Sequence, residues 1–257
     1  MQEKTKYRLI YLIMILSNFL LPISEKAFDP TQTSVVIGAV LGATATTYFW
    51  LSPVFHVATI LLVVSFLLYG NRFGRIADLF FGIMLLFAGI TQHIAYTEDY
   101  GLTIITGNLV MISIVGFFWL LEAYKPQNDY SLGKLPLWRY WVVPFAVLAY
   151  WFPVDTAGAP NFSLLTLVMG PYGVAFCPTT PVIVALLTLA YPNVNEKLLT
   201  ITSLGGLIIG IWNMLSIFLM PGYTLWLLSL HIPLVVVPSY GLLISRMVKS
   251  EEKTQTQ

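Results

Sequence analysis

The sequence predicts an all-α polytopic transmembrane bundle with seven core spans plus an N-terminal helix. The chain is 57% hydrophobic and only 10% charged, whereas about 25% of the residues in a typical soluble domain are charged. Its apolar residues form continuous runs close to the roughly 20 residues that a helix needs to cross a bilayer. Continuous runs favour helices over the alternating pattern of a membrane β-barrel. The core runs are residues 51–70, 76–96, 101–124, 140–153, 163–191, 198–219 and 223–245.

Charged residues alternate between the gaps that separate these runs, and this predicts an orientation. One set of gaps and the tail hold most of the basic residues, namely Arg72, Arg75, Lys125, Lys134, Arg139, Lys197, Arg246, Lys249 and Lys253. The other gaps hold Glu98, Asp99 and Asp155. Because short cytoplasmic loops collect Lys and Arg, we expect a multi-pass protein of the plasma membrane with a cytoplasmic C-terminus. Its partner is then the lipid bilayer, and a net charge of +1 gives no indication of a nucleic-acid partner.

Two segments precede the core domain, residues 51–246, and a cytoplasmic tail, residues 247–257, follows it. Residues 1–33 hold basic side chains, an apolar stretch and an outer loop, which fits either a signal peptide or an uncleaved anchor. The weak small-x-small pattern after the stretch favours the uncleaved helix. Residues 34–50 are apolar but rich in Gly, Ala and Thr. A crossing there would invert the charge alternation, so we interpret this segment as outer and re-entrant or interfacial.

The core helix within residues 163–191 is predicted to be broken between Gly170 and Pro181. Three prolines and two glycines in this stretch are incompatible with one regular helix, because an interior proline removes a backbone hydrogen bond. Thr179 or Thr180 can cap the second piece, with Pro181 in its first turn. Broken helices often mark binding sites in transporters, although a kink that only shapes packing is the alternative.

The histidines, His56, His93 and His231, all fall in the outer half of a predicted span. Ionisable groups inside a membrane are costly, so a functional role is the default hypothesis. Imidazole binds metals or haem iron. However, no H-x-x-x-H or H-E-x-x-H spacing is present, and hydrogen bonding to a neighbouring helix is the plainer explanation.

Other polar residues fall at a similar depth, among them Gln92 beside His93, and Asn213. Each can bond one helix to another, but together with the histidines they would line a polar outer cavity. At the opposite ends of the helices, we interpret Asp78 and Glu122 as interfacial ion pairs with Arg75 and Lys125.

The stretch Cys177-Pro178-Thr179-Thr180 resembles the Cys-Pro-Thr-Thr motif of an uncharacterised bacterial family of multi-pass membrane proteins, a domain of unknown function. The segment 48–53 is similar to that family's entry to its first span, and His93 takes the position of the family's histidine. The resemblance extends over residues 48–246. It implies a fold class and no activity.

The sequence therefore favours a permease-like membrane protein that binds a small polar solute at the broken helix over an enzyme. The expected binding residues are Gln92, His93, Cys177, Thr179, Thr180 and Asn213. One alternative is an integral-membrane enzyme or electron carrier that holds a metal, haem or quinone through His56, His93 and His231. A second alternative is a non-catalytic subunit of a membrane complex. The sequence assigns no cofactor.

Overall fold

The computed structural model describes residues 3–131, 135–155, 158–219 and 223–255, so Lys134 and the last two residues of the predicted tail lie outside it. The described chain is mostly helical. The helices are α1 (Glu3–Ser17), α2 (Thr33–Thr44), α3 (Ser52–Tyr69), α4 (Gly74–His93), α5 (Thr106–Tyr124), α6 (Val142–Trp151), α7 (Thr166–Met169), α8 (Phe176–Ala190), α9 (Glu196–Leu219), α10 (Leu225–Leu230) and α11 (Ile232–Gln255). The strands are β1 (Ile23–Ser24), β2 (Ile94–Thr97) and β3 (Gly101–Ile104).

Among the described residues, helical segments long and apolar enough to cross a membrane are fewer than the seven core spans predicted. They are Phe49–His93, Thr106–Tyr124, Glu196–Leu219 and Leu225–Ile244. The first contains both α3 and α4, joined through the 3₁₀ turn Gly70–Phe73. The other predicted spans contain α6 and α8, which have 10 and 15 helical residues and are too short to cross ~30 Å of hydrocarbon as single helices.

Helix α8 lies at the centre of the bundle. Nearly all of its side chains are buried, and α4, α6, α9 and α11 pack around it. Large apolar side chains stay exposed along the outer helices, for example Leu16 on α1 and Leu61 and Leu67 on α3. A buried centre with an apolar outer surface is the arrangement that a lipid environment permits, since extended exposed apolar surface is rare on soluble monomers.

The closest helix pairing joins α4 to α5, and glycines make it possible. A methyl group at Gly82 would lie 2.9 Å from Leu120, and one at Gly116 would lie 2.7 Å from Leu86. Small residues let helix backbones approach each other closely. The Gly38 and Gly42 spacing on α2 does not act in this way, because both positions face open space.

The all-α prediction needs one correction, because a small antiparallel sheet in the order β1-β3-β2 closes one end of the bundle. Strands β2 and β3 form a hairpin that pairs Thr97 with Gly101. Gly101 has φ of +66°, a conformation that glycine adopts without strain. The sheet satisfies backbone groups at the ends of α4 and α5, where the sequence analysis extended the predicted spans 76–96 and 101–124. Helix α2 packs beside this sheet and against α4, and at 1.5 Å per residue its 12 residues reach about 18 Å, which is too short for a span.

Candidate functional site

The predicted break in the helix lies between α7, which ends at Met169, and α8, which begins at Phe176. Gly173 turns the chain with φ of +82°. A methyl group on Gly173 would lie 2.2 Å from the Phe55 Cβ, so both its conformation and its close approach to α3 require glycine. Helix α8 begins about four residues earlier than the cap predicted from Thr179 and Thr180, with Ala175 as its extended N-cap residue.

Thr179 holds the break together. Its hydroxyl accepts a hydrogen bond from the Gly173 N–H at 2.8 Å and donates to the Ala175 carbonyl at 2.6 Å. Thr180 donates instead to the Phe176 carbonyl at 2.9 Å, one turn earlier on the same helix. Both threonine side chains are fully buried. Neither lies on the wall of the cavity described next, so the structure places these two predicted binding residues behind that wall.

A cavity of about 400 Å³ lies beside the break; we call it the break cavity. Its wall is formed by the C-terminal ends of α2 and α4, the start of α8, the middle of α9 and the residues around α10. Of the residues predicted to bind a solute, it brings together Gln92, His93, Cys177 and Asn213. The other lining residues include Tyr48, Phe49, Asn108, Phe152, Asp155, Phe176, Tyr223 and His231. The cavity is therefore lined by four of the six residues predicted to bind a solute, and Thr179 and Thr180 lie outside its wall.

Two imidazole rings on this wall are held in the same way. His93 Nδ1 lies 3.0 Å from the Gly89 carbonyl, and His231 Nδ1 lies 2.7 Å from the Leu227 carbonyl. A carbonyl oxygen only accepts hydrogen bonds, so Nδ1 carries the proton in each ring. Tyr223 lies 2.9 Å from the same nitrogen of His231.

The amide side chains at the cavity are partly used. Gln92 Oε1 accepts from the Phe176 N–H at 3.1 Å, and this caps the first turn of α8. Asn213 Nδ2 donates to the Ile209 carbonyl at 3.0 Å and to the Cys177 sulfur at 3.3 Å. Each partner has a fixed role as donor or acceptor, so the orientation of both amides is determined. The Gln92 amino group and Asn213 Oδ1 remain available to a bound molecule.

The three histidines of the metal hypothesis do not share one cavity. His56 is buried between Tyr150 and Tyr172, with ring centroids 4.6 Å and 5.1 Å away, and its Nδ1 bonds the Ser52 carbonyl at 2.8 Å. Only His93 and His231 line the break cavity. Within the described ranges, no three His, Cys, Asp or Glu side chains come together as metal ligands would.

A second polar region lies at the opposite end of α4 and α5, and sequence reasoning missed its organisation. We call it the carboxylate network: Asn71, Asp78, Glu122, Asn128, Tyr130 and Asn195. Asp78 Oδ1 accepts from the Tyr130 hydroxyl at 2.6 Å and from the Asn128 amide at 2.9 Å. Glu122 Oε1 accepts from the Asn128 N–H at 2.7 Å, and Oε2 accepts from the Asn195 amide at 2.7 Å.

Asn128 lies at the centre of this network. Its side-chain oxygen also accepts from the Asn195 N–H at 2.8 Å, and its carbonyl accepts from the Asn71 amide at 3.1 Å. Burial and the adjacent Asp78 raise the pKa of Tyr130 well above its ordinary value, so its hydroxyl is a permanent donor. In the described part of the chain, Asp78 Oδ2 is the one carboxylate oxygen of the network without a partner.

The ion pairs predicted for Asp78 and Glu122 are therefore wrong. Arg75 Nε donates to the Ala123 carbonyl at 2.8 Å, and the one ion pair among the described residues joins Lys197 to Glu3. The signal for the network was present in the loop after α5, where Gln127, Asn128 and Asp129 form a run of short amides and acids. Such side chains bond backbone groups in turns, but their partners come from distant helices.

No protein family model, no curated protein and no solved structure matches this chain; the candidate site therefore rests on the geometry of the break and of its cavity.

Proposed function

We propose that this membrane protein binds a small polar solute in the break cavity and acts as a permease-like transporter without an energy source of its own. The observation that carries the proposal is the coincidence of a cavity of about 400 Å³ with the interrupted helix. Irregular backbone at membrane depth is tolerated where it lines a cavity or is buried in protein. The volume is in the lower part of the range for small-molecule sites.

We further propose seven core spans and a cytoplasmic C-terminus, with the break cavity open to the outer side. Two sets of contacts support this orientation. At the outer end, Lys26 donates to the Glu98 carbonyl at 2.7 Å, beside the sheet of β1, β2 and β3. At the other end, α1 and α9 meet through Glu3 and Lys197, and the carboxylate network joins the loops next to the basic gaps. Each end therefore contains the residues that the charge alternation assigns to one side.

The single cysteine of the chain provides a direct test, because Cys177 lies on the cavity wall. In right-side-out vesicles, we expect a membrane-impermeant methanethiosulfonate reagent to modify Cys177, with one adduct detected by mass spectrometry of the intact protein. A wet cavity admits the reagent, whereas a proline kink packed in lipid or protein excludes it. The wild-type chain needs no other cysteine removed, which keeps the experiment free of background substitutions.

Two control variants show whether labelling reports access to the break cavity. Thr44→Cys in a Cys177→Ser background places the thiol elsewhere on the same wall and should be labelled at a comparable rate. Thr180→Cys in that background places it at a fully buried position behind the wall and should remain unmodified. Folded protein in which Cys177 and Thr44→Cys both stay unmodified would rule out a cavity reached from outside, and with it the proposed function.

A further inference from the structure

We propose that the solute of the break cavity is a small organic ammonium ion that carries N–H donors, such as a primary amine. This inference rests on the proposed function and names its substrate class. It follows from three properties of the cavity wall: the sign of its charge, the hydrogen-bonding capacity left unused, and its aromatic lining.

The charged side chains of the wall disfavour an anion. Among the described residues that line the cavity, none is a lysine or an arginine, and Asp155 supplies the fixed charge. Asp155 is exposed, and its side chain accepts from the Ala159 N–H at 2.9 Å, which fixes the carboxylate at the rim. Sites for carboxylates or phosphates depend on Arg, Lys or clusters of free N–H groups. The Phe176 and Gly173 N–H groups at the break are already occupied by Gln92 and Thr179.

Beside the Gln92 amino group, the unused capacity of the wall includes several acceptors. His93 and His231 are 2% and 7% exposed, and each ring bonds a helix carbonyl through Nδ1. With Nδ1 protonated, Nε2 of each ring presents a lone pair. Asn213 contributes Oδ1, because its amino group is used. In addition, Pro181 has no N–H, so the Cys177 carbonyl lacks its usual partner one turn later in α8.

The remaining wall is apolar and aromatic, with Tyr48, Phe49, Phe152, Phe176 and Tyr223 among the lining residues. Aromatic faces attract cations, and ammonium ligands are commonly held by such rings. An alkylammonium ion presents three N–H donors to the acceptors and an apolar chain to the rings. A quaternary ammonium would satisfy the rings but leave the imidazole and amide acceptors without donors, so we commit to an ammonium with N–H groups.

The test compares four compounds on detergent-purified protein: butylammonium, butan-1-ol, butyrate and tetramethylammonium. We measure binding by calorimetry, and we measure the rate at which a small neutral methanethiosulfonate modifies Cys177. We expect butylammonium to bind saturably and to slow the modification. Butan-1-ol and tetramethylammonium should bind at least about tenfold more weakly, and butyrate should show no saturable binding.

Three substitutions, two of them a matched pair, assign the effect to the cavity. Asp155→Asn keeps a side-chain oxygen for the Ala159 N–H and removes the charge, so butylammonium affinity should fall about fivefold, as for an exposed ion pair. Asp99→Asn removes an equally exposed charge that does not line the cavity and should leave the affinity unchanged. His93→Phe keeps a ring and removes the acceptor, and we expect a loss of about tenfold.

The outcomes separate this inference from the proposed function. Binding of butyrate or butan-1-ol as tight as that of butylammonium overturns the ammonium assignment, and so does an equal loss in Asp155→Asn and Asp99→Asn. A reactive Cys177 without any butylammonium binding overturns it too, while leaving a solute of another class in the cavity. Folded protein in which neither Cys177 nor Thr44→Cys is modified in vesicles overturns the proposed function itself.

Discussion

The break cavity and the carboxylate network lie at opposite ends of the α4–α5 pair, and they treat buried polar groups in opposite ways. In the network, nearly every polar atom finds a partner within the protein, and Asn128 alone bonds Asp78, Glu122 and Asn195. At the cavity, His93, His231 and Asn213 each use one side of the side chain for a helix carbonyl. The other side of each remains available.

This difference distinguishes buried polar groups that stabilise a membrane protein from buried polar groups that can bind a ligand. A network whose donors and acceptors are matched internally holds helices and loops in place, because an unmatched buried group costs about 1–3 kcal/mol. At the cavity, polar side chains bond a helix carbonyl on one side and keep hydrogen-bonding groups free on the other. Such side chains around an empty cavity can bind a small molecule. Composition alone did not distinguish the two, since both regions contain Asn, Asp and Tyr.

The largest effect should come from Asn128→Ala in the carboxylate network, the region where nearly every polar atom has a partner. The substitution removes the amide that donates to the buried Asp78 carboxylate and the side-chain oxygen that accepts from the Asn195 N–H, so we expect the free energy of unfolding to fall by about 3 kcal/mol. Unfolding in detergent, followed by circular dichroism against added dodecyl sulfate, measures this change.

The matched control for this substitution is Asn213→Ala at the cavity. Its amide bonds the Ile209 carbonyl and the Cys177 sulfur, so its loss should lower stability by less than about 1 kcal/mol. Equal destabilisation by the two alanine variants would mean that the cavity amide is as structural as the network amide, and the distinction between the regions would not hold.

An intermediate effect is expected at the break itself. Thr179→Val removes the hydroxyl that receives the Gly173 N–H and leaves that buried donor unpaired, at a cost of about 2 kcal/mol in the free energy of unfolding. Thr180→Val removes only a bond to the carbonyl one turn earlier and should cost about 0.5 kcal/mol. The same dodecyl sulfate titration compares the two, and a larger loss for Thr180→Val would contradict the bridging role of Thr179.

The smallest effect should come from Glu3→Gln. This substitution removes a contact that lies next to the carboxylate network but outside it, and so tests how far the structural region extends. The ion pair between Glu3 and Lys197 is exposed, and such pairs are worth about 0–1 kcal/mol. We expect the melting temperature in detergent to change by no more than a few degrees, and less in high salt. A loss as large as that of Asn128→Ala would extend the structural region to this surface.

Much of the helical fold could be predicted because long apolar runs and clustered prolines act locally. The break between Gly170 and Pro181 follows from residues inside the segment itself, and so does the helical character of α4, α5, α9 and α11. The sheet of β1, β2 and β3 could not be predicted in this way, because its pairing depends on a strand from residues 23–24 meeting a hairpin far along the chain.

The candidate site, like the fold, could be predicted only in part. His93, Gln92 and Asn213 were identified as polar residues at one depth, and depth is set by position along a helix. Whether residues at one depth meet depends on helix order around the bundle, which separates His56 from the cavity and brings His231 to it. The positions of Thr179 and Thr180 depend on where α8 begins, and this is set by Gln92 on a different helix.

The glycine-mediated packing of α4 on α5 has a mechanical consequence. Asp78 and His93 lie near the two ends of α4, and Glu122 and Asn108 lie near the two ends of α5. Because Gly82 and Gly116 bring the two helices into close contact at two levels, we expect the pair to move as one stiff lever with the cavity at one end and the network at the other. Any tilt of this lever that widens the cavity mouth also displaces the anchored carboxylates about 20 Å away, so the anchorage sets how freely the mouth can open.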